Sequence, residues 1–188
     1  MNKIKKKRKL SERYLIGATY RYLERYATTE ANLILILKRK VEKIIVDDEN
    51  QEELRKQSAS WIKDIVAKAL KQGLVDDKLY AQSRVQAFLQ AGNSLSTMQN
   101  KLRAKGVSAE VISAVISKLN QEKPNINIIS GIKYVKRRRF GAFRIKEAQE
   151  NTEQKEMAAM ARAGFSFKHS KKVLSASREE LEDILYEN

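Results

Sequence analysis

Apolar residues in this chain recur three and four positions apart, the spacing that places side chains along one face of an α-helix. The clearest example is the stretch 61–70, in which one apolar stripe at positions 61, 65 and 69 runs beside another at 62, 66 and 70. The alternation typical of a half-buried strand is not the prevailing pattern. The sequence therefore predicts an all-α fold.

Helix-breaking and capping residues divide this pattern into separate helices. Gly73 ends the third predicted helix, and the paired acids Asp76 and Asp77 suit the positive N-terminal end of the fourth. Between the second and third helices, residues 47–56 are polar and acidic, which indicates an exposed loop or a frayed helix end. The predicted buried side of the fourth helix consists of Leu79, Tyr80, Ala87 and Phe88.

The next helices are bounded in the same way. Gly92 and Asn93 interrupt the fourth helix, and Ser96 with Gln99 has the spacing of a capping box that would open the fifth. Ser108 then caps a sixth helix. On the fifth helix, Met98 and Leu102 are predicted to face inward.

Internal similarity groups these helices into triplets. Residues 14–41 align without gaps on residues 79–106, at an offset of 65, and KGVS at 105–108 is echoed by AGFS at 163–166. A third triplet is predicted, with helices at about 126–138, at about 152–163 and from Ser166, followed by a last short helix that Ser177 and Glu180 would open with a capping box. The predicted organisation is a basic tail at 1–13 and three-helix repeats at 14–75, 76–123 and 124–188. Stacked helical units of this kind favour an elongated, curved body.

The positive charge is concentrated in two stretches. Of the formal net charge of +15, most resides in residues 3–9 and residues 133–146, neither of which contains an acidic side chain. Such clusters favour a polyanion or an acidic protein surface as partner. The basic start of the chain is not followed by the apolar stretch of a signal peptide, and the run Leu33 to Leu37 is far too short to span a bilayer. We therefore expect a cytoplasmic protein without a membrane partner.

The inventory of reactive side chains argues against an enzyme. The chain has no cysteine and one histidine, His169, so His/Cys metal clusters and nucleophile–histidine pairs beyond this one imidazole are absent from the sequence. Asp76 and Asp77 are better explained by helix capping than by metal binding or acid–base catalysis. We expect no catalytic residue, cofactor, metal ion or small-molecule substrate.

Several segments of the chain resemble the RecX family of bacterial regulatory proteins. They are GLVDDKLYA at 73–81, KGVS at 105–108, KRRRFGAFR at 136–144 and ARAGFS at 161–166. The resemblance covers the chain from about Tyr14 onward. It implies tandem three-helix repeats that bind the RecA recombinase and its nucleoprotein filament, with weak binding to DNA itself. It also implies that the chain inhibits the ATPase and strand exchange of RecA in recombination, DNA repair and the SOS response.

The arginine-rich end of the seventh helix is the strongest candidate for partner binding, because guanidinium groups suit bidentate contact with carboxylate or phosphate. The predicted contacts to RecA or to the DNA backbone are Lys101, Arg103, Lys105, Lys136, Arg137, Arg138, Arg139 and Arg144. One alternative is a helical module that binds duplex DNA without RecA. Another is a scaffold that binds proteins only, in which the arginines are incidental.

Overall fold

The computed structural model describes residues 9–187, and every regular element in that range is helical. This confirms the all-α prediction. The ten α-helices are α1 (Glu12–Leu23), α2 (Glu30–Ile45), α3 (Gln51–Lys71), α4 (Asp77–Gln90), α5 (Leu95–Arg103), α6 (Ala109–Glu122), α7 (Ile126–Arg138), α8 (Thr152–Arg162), α9 (Phe167–Ser175) and α10 (Arg178–Tyr186). A short 3-10 helix, Gly141–Phe143, follows α7. Most of the basic stretch at 3–9 lies outside the described residues.

Most helix boundaries follow from side chains that cap the first turn. The hydroxyl of Ser108 accepts from the backbone N–H of Val111 at the start of α6, and Ser177 and Glu180 form a complete capping box at α10. The prediction for α5 was wrong by two residues. The N-cap is Ser94, whose hydroxyl accepts from Thr97 N–H, so Ser96 lies inside the helix.

Two further expectations are changed by the structure. The polar stretch 47–56, expected to be an exposed loop or a frayed helix end, consists of an irregular turn up to Asn50 and then the first residues of α3, which begins at Gln51. The buried side of α4 consists of Ala81, Val85 and Leu89, four positions apart, whereas Leu79 is 64% exposed. The reason is helical position and not side-chain size, because Leu79 is as large as the buried Leu89, and the small residue Ala87 is exposed.

The chain packs into two compact units. The first contains the described residues through Tyr80 together with Lys105–Val107, and the second contains Ala81–Ala104 and the described residues from Ser108 onward. In the first unit, α1, α2 and α3 enclose a core around Leu15, Leu33 and Leu37. In the second unit, α7, α8 and α9 enclose a core around Ile132, Met160 and Val173. Of the predicted repeat boundaries, 75/76 and 123/124 fall in connections between helices; the division into three repeats stays a prediction.

The repeat at an offset of 65 is visible in the helix starts, since α1 and α4 begin at residues 12 and 77 and α2 and α5 at residues 30 and 95. The echoed segments 105–108 and 163–166, here called the junction turns, make equivalent contacts. The N-cap hydroxyl of α2, on Thr29, donates to the Lys105 carbonyl at 2.5 Å. The N-cap hydroxyl of α5, on Ser94, donates to the Ala163 carbonyl at 2.7 Å. Each junction turn is thus held by the N-terminus of the second helix of the preceding predicted repeat.

Candidate partner-binding surface

The arginine-rich segment forms the last turn of α7 and the reversal that follows it. Lys136, Arg137 and Arg138 occupy the last turn, where the partial negative charge of the helix end favours cations. Arg139 adopts the left-handed conformation, with φ of 58°, and ends the helix. The next residues fold back, and Phe143 is buried in the core of the second unit. This arrangement leaves Arg137, Arg138 and Arg139 exposed to solvent.

Arg144, although close in sequence, is engaged inside the protein. Its Nη2 and Nε atoms donate to the two carboxylate oxygens of Glu156 at 2.8 and 3.1 Å, and the Glu156 side chain is 7% exposed. The backbone N–H of Gly141 donates to the same carboxylate at 3.0 Å. The hydrogen bond to Glu156 raises the pKa of Arg144. Its guanidinium is therefore committed to holding the segment after α7 against α8.

Lys136 is engaged in part. Its Nζ lies 3.7 Å from a carboxylate oxygen of Glu182, which also accepts from Arg178 at 3.1 Å. The Lys136 ammonium and the Arg178 guanidinium both lie over the ring of Phe143, at 5.6 and 5.8 Å from its centroid. These exposed contacts are weak enough to exchange for others.

Cations from α5 and α7 converge on the turn between α4 and α5. Lys101 Nζ donates to Asn93 Oδ1 at 2.7 Å, and Lys133 Nζ donates to Gln90 Oε1 at 2.9 Å. Arg137 donates to the backbone carbonyl of Ala91. Carbonyls at the end of α4 and polar side chains thus attract three positive groups to residues 90–93.

Gly92 permits this convergence, because its backbone lies directly against α7. A Cβ at this position would approach the Tyr134 nitrogen to 2.7 Å, and φ of +66° also favours glycine. Burial, and then the charge of Lys123, lowers the pKa of Lys133. The close approach thereby places one cation of the group in a partly desolvated position.

Three members of this surface, Arg84, Phe88 and Lys133, were not among the contacts predicted from the sequence. The guanidinium of Arg84 lies 4.9 Å from the Phe88 ring centroid, and the Lys101 ammonium lies 5.0 Å from the same centroid. Phe88 therefore carries a cation from its own helix and one from α5. The available signal was the spacing of four residues between Arg84 and Phe88. We name Arg84, Lys101, Lys133 and Arg137, with the ring of Phe88, the basic cluster.

The other predicted contacts lie outside the basic cluster. Arg138 is stacked over the Phe140 ring at 5.3 Å, and Arg103 donates to its neighbour Asn100 at 2.8 Å. Lys105 belongs to the first compact unit, where its carbonyl is held by Thr29. The structure thus brings Lys101 and Arg137 together and engages Arg144 elsewhere.

The residues considered for catalysis have structural contacts. Asp76 Oδ1 accepts from Leu79 N–H at the start of α4, and Asp77 Oδ1 accepts from Glu30 N–H at the start of α2. His169 Nδ1 lies 2.9 Å from the hydroxyl of Ser166, the N-cap of α9. Within residues 9–187, no three His, Cys, Asp or Glu side chains are placed to hold a metal ion. In the same range, no helix is both long and apolar enough to cross a membrane.

Comparison with known proteins gives a relative that matches nearly the whole chain. The chain is 33% identical over 174 residues to the regulatory protein RecX of Myxococcus xanthus, which is 92% of this chain and 90% of that protein. This chain belongs to the RecX family. It is also 34% identical over 111 residues to the regulatory protein RecX of Agrobacterium fabrum, which covers 59% of this chain and 57% of that protein. No family model matches the sequence.

Solved RecX structures share the fold. One crystal structure of a regulatory protein RecX matches with a TM-score of 0.61 at 21% identity, over 86% of this chain and 70% of that one. RecX from Lactobacillus salivarius matches with a TM-score of 0.60 at 16% identity, over 91% and 96% of the two chains. RecX membership gives the chain a regulatory role, and it makes the tandem helical arrangement a property of the family fold.

Proposed function

We propose that this RecX protein binds the RecA recombinase and its nucleoprotein filament and inhibits the ATPase and strand exchange of RecA. The proposal rests on the match to RecX over 92% of the chain, together with the family resemblance of the junction turns and the arginine-rich segment. A filament of RecA on DNA is the setting of recombination and DNA repair, so we place this activity in the cytoplasm. No cofactor or enzymatic step of its own is required.

The proposed contact surface is the basic cluster, in which Lys133 is half-buried and Arg84, Lys101 and Arg137 are exposed. Lys101, Lys133 and Arg137 converge within one turn, and Arg138 and Arg139 extend this positive surface along the end of α7. A filament offers both acidic side chains and DNA phosphates to such a surface. Arg103, Lys105 and Lys136 stay proposed contacts at its margins. Arg144 is the least suited of the predicted contacts, because Glu156 already occupies its guanidinium.

The test is single-strand-dependent ATP hydrolysis by RecA, measured with substoichiometric amounts of this protein. We expect inhibition by the wild type and its loss in a variant with Arg137, Arg138 and Arg139 changed to Glu. The matched control changes three exposed lysines of α3, Lys56, Lys63 and Lys71, to Glu and keeps the change in net charge equal. Unchanged inhibition by the arginine variant contradicts the proposed surface, and equal loss in both variants assigns the effect to net charge alone.

Binding to duplex DNA without RecA, measured by anisotropy over a series of salt concentrations, distinguishes the proposed function from the alternative of a DNA-binding module that acts without RecA. Absence of RecA inhibition by the wild type, combined with steeply salt-dependent duplex binding, would favour a DNA-binding protein that acts without RecA. Inhibition that survives in both charge variants would instead favour a protein-only scaffold.

A further inference from the structure

Three cations of the basic cluster are held by neutral oxygen atoms at residues 90–93. Among the described residues, no carboxylate lies within ion-pairing distance of Lys101, Lys133 or Arg137. A neutral acceptor orients a cation without cancelling its charge. The residues that provide these acceptors therefore influence how the positive charge is presented to a partner.

Asn93, one of these residues, uses both ends of its side-chain amide. Its Nδ2 donates to the Phe88 carbonyl at 2.9 Å, and its backbone N–H donates to the same carbonyl at 3.0 Å. Its Oδ1 accepts from Lys101 Nζ at 2.7 Å. The reverse orientation of the amide would place its NH2 group against the ammonium and its oxygen against the carbonyl. The two partners together therefore fix the orientation of this half-buried side chain.

The hydrogen bond to Asn93 determines where the Lys101 ammonium lies. This ammonium is 5.0 Å from the centroid of the Phe88 ring, and the Arg84 guanidinium is 4.9 Å from the same centroid. Two like charges beside one ring repel each other, and the hydrogen bond to Asn93 opposes that repulsion. Phe88 provides both the ring and the carbonyl that anchors Asn93, so the end of α4 fixes a cation that comes from α5.

We propose that Asn93 is a positioning residue for partner binding, which holds the Lys101 ammonium in place for an anionic group of the partner. This inference rests on the proposed function, because Lys101 is one of its proposed contacts. A lysine side chain has several rotatable bonds, and fixing it before binding reduces the conformational entropy that is lost when the partner binds. Asn93 acts through Lys101 and does not itself contact the partner.

The first test is a double-mutant cycle that measures inhibition of RecA ATP hydrolysis. We expect Asn93→Ala to raise the concentration for half-inhibition about threefold to tenfold, the range expected when one long side chain must be ordered during binding. In a Lys101→Ala background, Asn93→Ala should change this concentration by less than about twofold, because no ammonium remains to be positioned. The control Ser11→Ala removes the N-cap of α1 in the first unit and shows whether a loss of stability alone weakens inhibition.

The second test measures the position of Lys101 by NMR without RecA. Because the Lys101 ammonium lies over the Phe88 ring, the ring current should shift the ε-methylene protons of Lys101 upfield of those of the exposed Lys78. This upfield shift should decrease in Asn93→Ala, and Phe88→Leu should abolish it.

Several results would overturn the proposal. They are a wild-type proton shift equal to that of Lys78, an unchanged shift or unchanged inhibition in Asn93→Ala, equal effects of Asn93→Ala with and without Lys101, and an equal weakening of inhibition by Ser11→Ala. A wild-type protein that does not inhibit RecA would overturn the proposed function and, with it, the role of Asn93 in binding. Failure of the positioning alone would leave inhibition by the wild type intact, so the two failures are distinguishable.

Discussion

At the scale of single residues, whether a basic side chain is exposed or forms an internal ion pair depends on which acidic residue the fold places beside it. Arg139 and Arg144 belong to the same basic stretch, yet only Arg144 meets a buried carboxylate, which belongs to Glu156, twelve residues later in the chain. Charge density along the sequence predicts a positive surface but contains no signal for this pairing. The exposed arginines were predictable from helix-end composition, and the internal one was not.

We expect Glu156→Ala to lower the free energy of unfolding by about 2 to 3 kcal/mol. The substitution removes both hydrogen bonds to Arg144 and the one from Gly141 N–H, and it leaves a partly buried guanidinium without its partner. Urea denaturation monitored by circular dichroism gives the value. Glu153→Ala is the control, because Glu153 is exposed on the same helix and its loss should change stability little. Equal effects of the two substitutions would show that the ion pair does not hold the segment.

Arg84 illustrates a second limit of sequence reasoning at this scale. An arginine in the middle of a predicted helix suggests no role by itself. The structure stacks it over Phe88, beside Lys101. The contribution of Arg84 to the basic cluster depends on Lys101, which lies on α5. The spacing of residues within α4 therefore does not predict it.

We expect Arg84→Ala to weaken inhibition of RecA with little effect on stability, because Arg84 is exposed and belongs to the basic cluster. The measurement is the concentration of this protein that halves RecA ATP hydrolysis, and an increase of about threefold to tenfold corresponds to the loss of one surface cation contact. Lys78→Ala serves as control, since it removes an exposed cation from the first turn of the same helix. An identical inhibition curve for Arg84→Ala would remove Arg84 from the contact surface.

At the scale of helices and turns, the junction turns explain why two short segments echo each other. Gly106 and Gly164 have φ of +78° and +81°. At each position, a Cβ would overlap the second helix of the preceding predicted repeat, which is α2 for Gly106 and α5 for Gly164. The sequence identifies the segments as similar connections. The sequence does not predict that these connections also contact the N-caps Thr29 and Ser94, because the two hydrogen bonds join residues 76 and 69 positions apart.

Gly164→Ala is expected to destabilise the protein by about 3 kcal/mol. Roughly 1 kcal/mol comes from the left-handed backbone and about 2 from crowding, because the new Cβ would lie 2.6 Å from Ser94 Oγ. Gly73→Ala isolates the backbone cost, since Gly73 has φ of +68° and no atom lies within 4 Å of the position that its new Cβ would take. Thermal and urea unfolding of both variants compare the two costs. If the Gly164→Ala variant is as stable as the Gly73→Ala variant, the junction turn relieves the crowding against Ser94 by moving away from it without loss of stability.

The N-cap hydroxyls provide a complementary test of the same docking. Ser108→Ala removes a cap and an exposed side-chain hydrogen bond with Glu110, and it should cost about 1 kcal/mol. Thr29→Ala removes a cap and also leaves the Lys105 carbonyl unpaired, so it should cost about 2 kcal/mol. Equilibrium unfolding in urea measures both. Equal losses would indicate that water replaces the hydroxyl at the Lys105 carbonyl.

At the scale of the whole molecule, the two compact units are not consecutive stretches of chain. Helix α4 is continuous across residues 80 and 81, and Lys105–Val107 belongs to the first unit although the residues on either side belong to the second. The sequence predicts successive triplets from periodicity, which reports local contacts. Lys105–Val107 belongs to the first unit because the junction turn contacts the N-cap of α2. This contact is not local, so periodicity does not predict it.

This interleaving predicts that the two units unfold together. Trp61 is the single tryptophan and packs against the core of the first unit, so its fluorescence reports that unit, whereas far-ultraviolet circular dichroism reports all the helices. Unfolding either unit would break α4 at its N-terminal turns or release the Lys105–Val107 turn, and shared elements of this kind make helical repeats cooperative. We therefore expect coincident urea midpoints for the two signals, and Glu156→Ala in the second unit should lower both. A midpoint for Trp61 that stays unchanged while the dichroism midpoint falls would show that the junction turn does not couple the units.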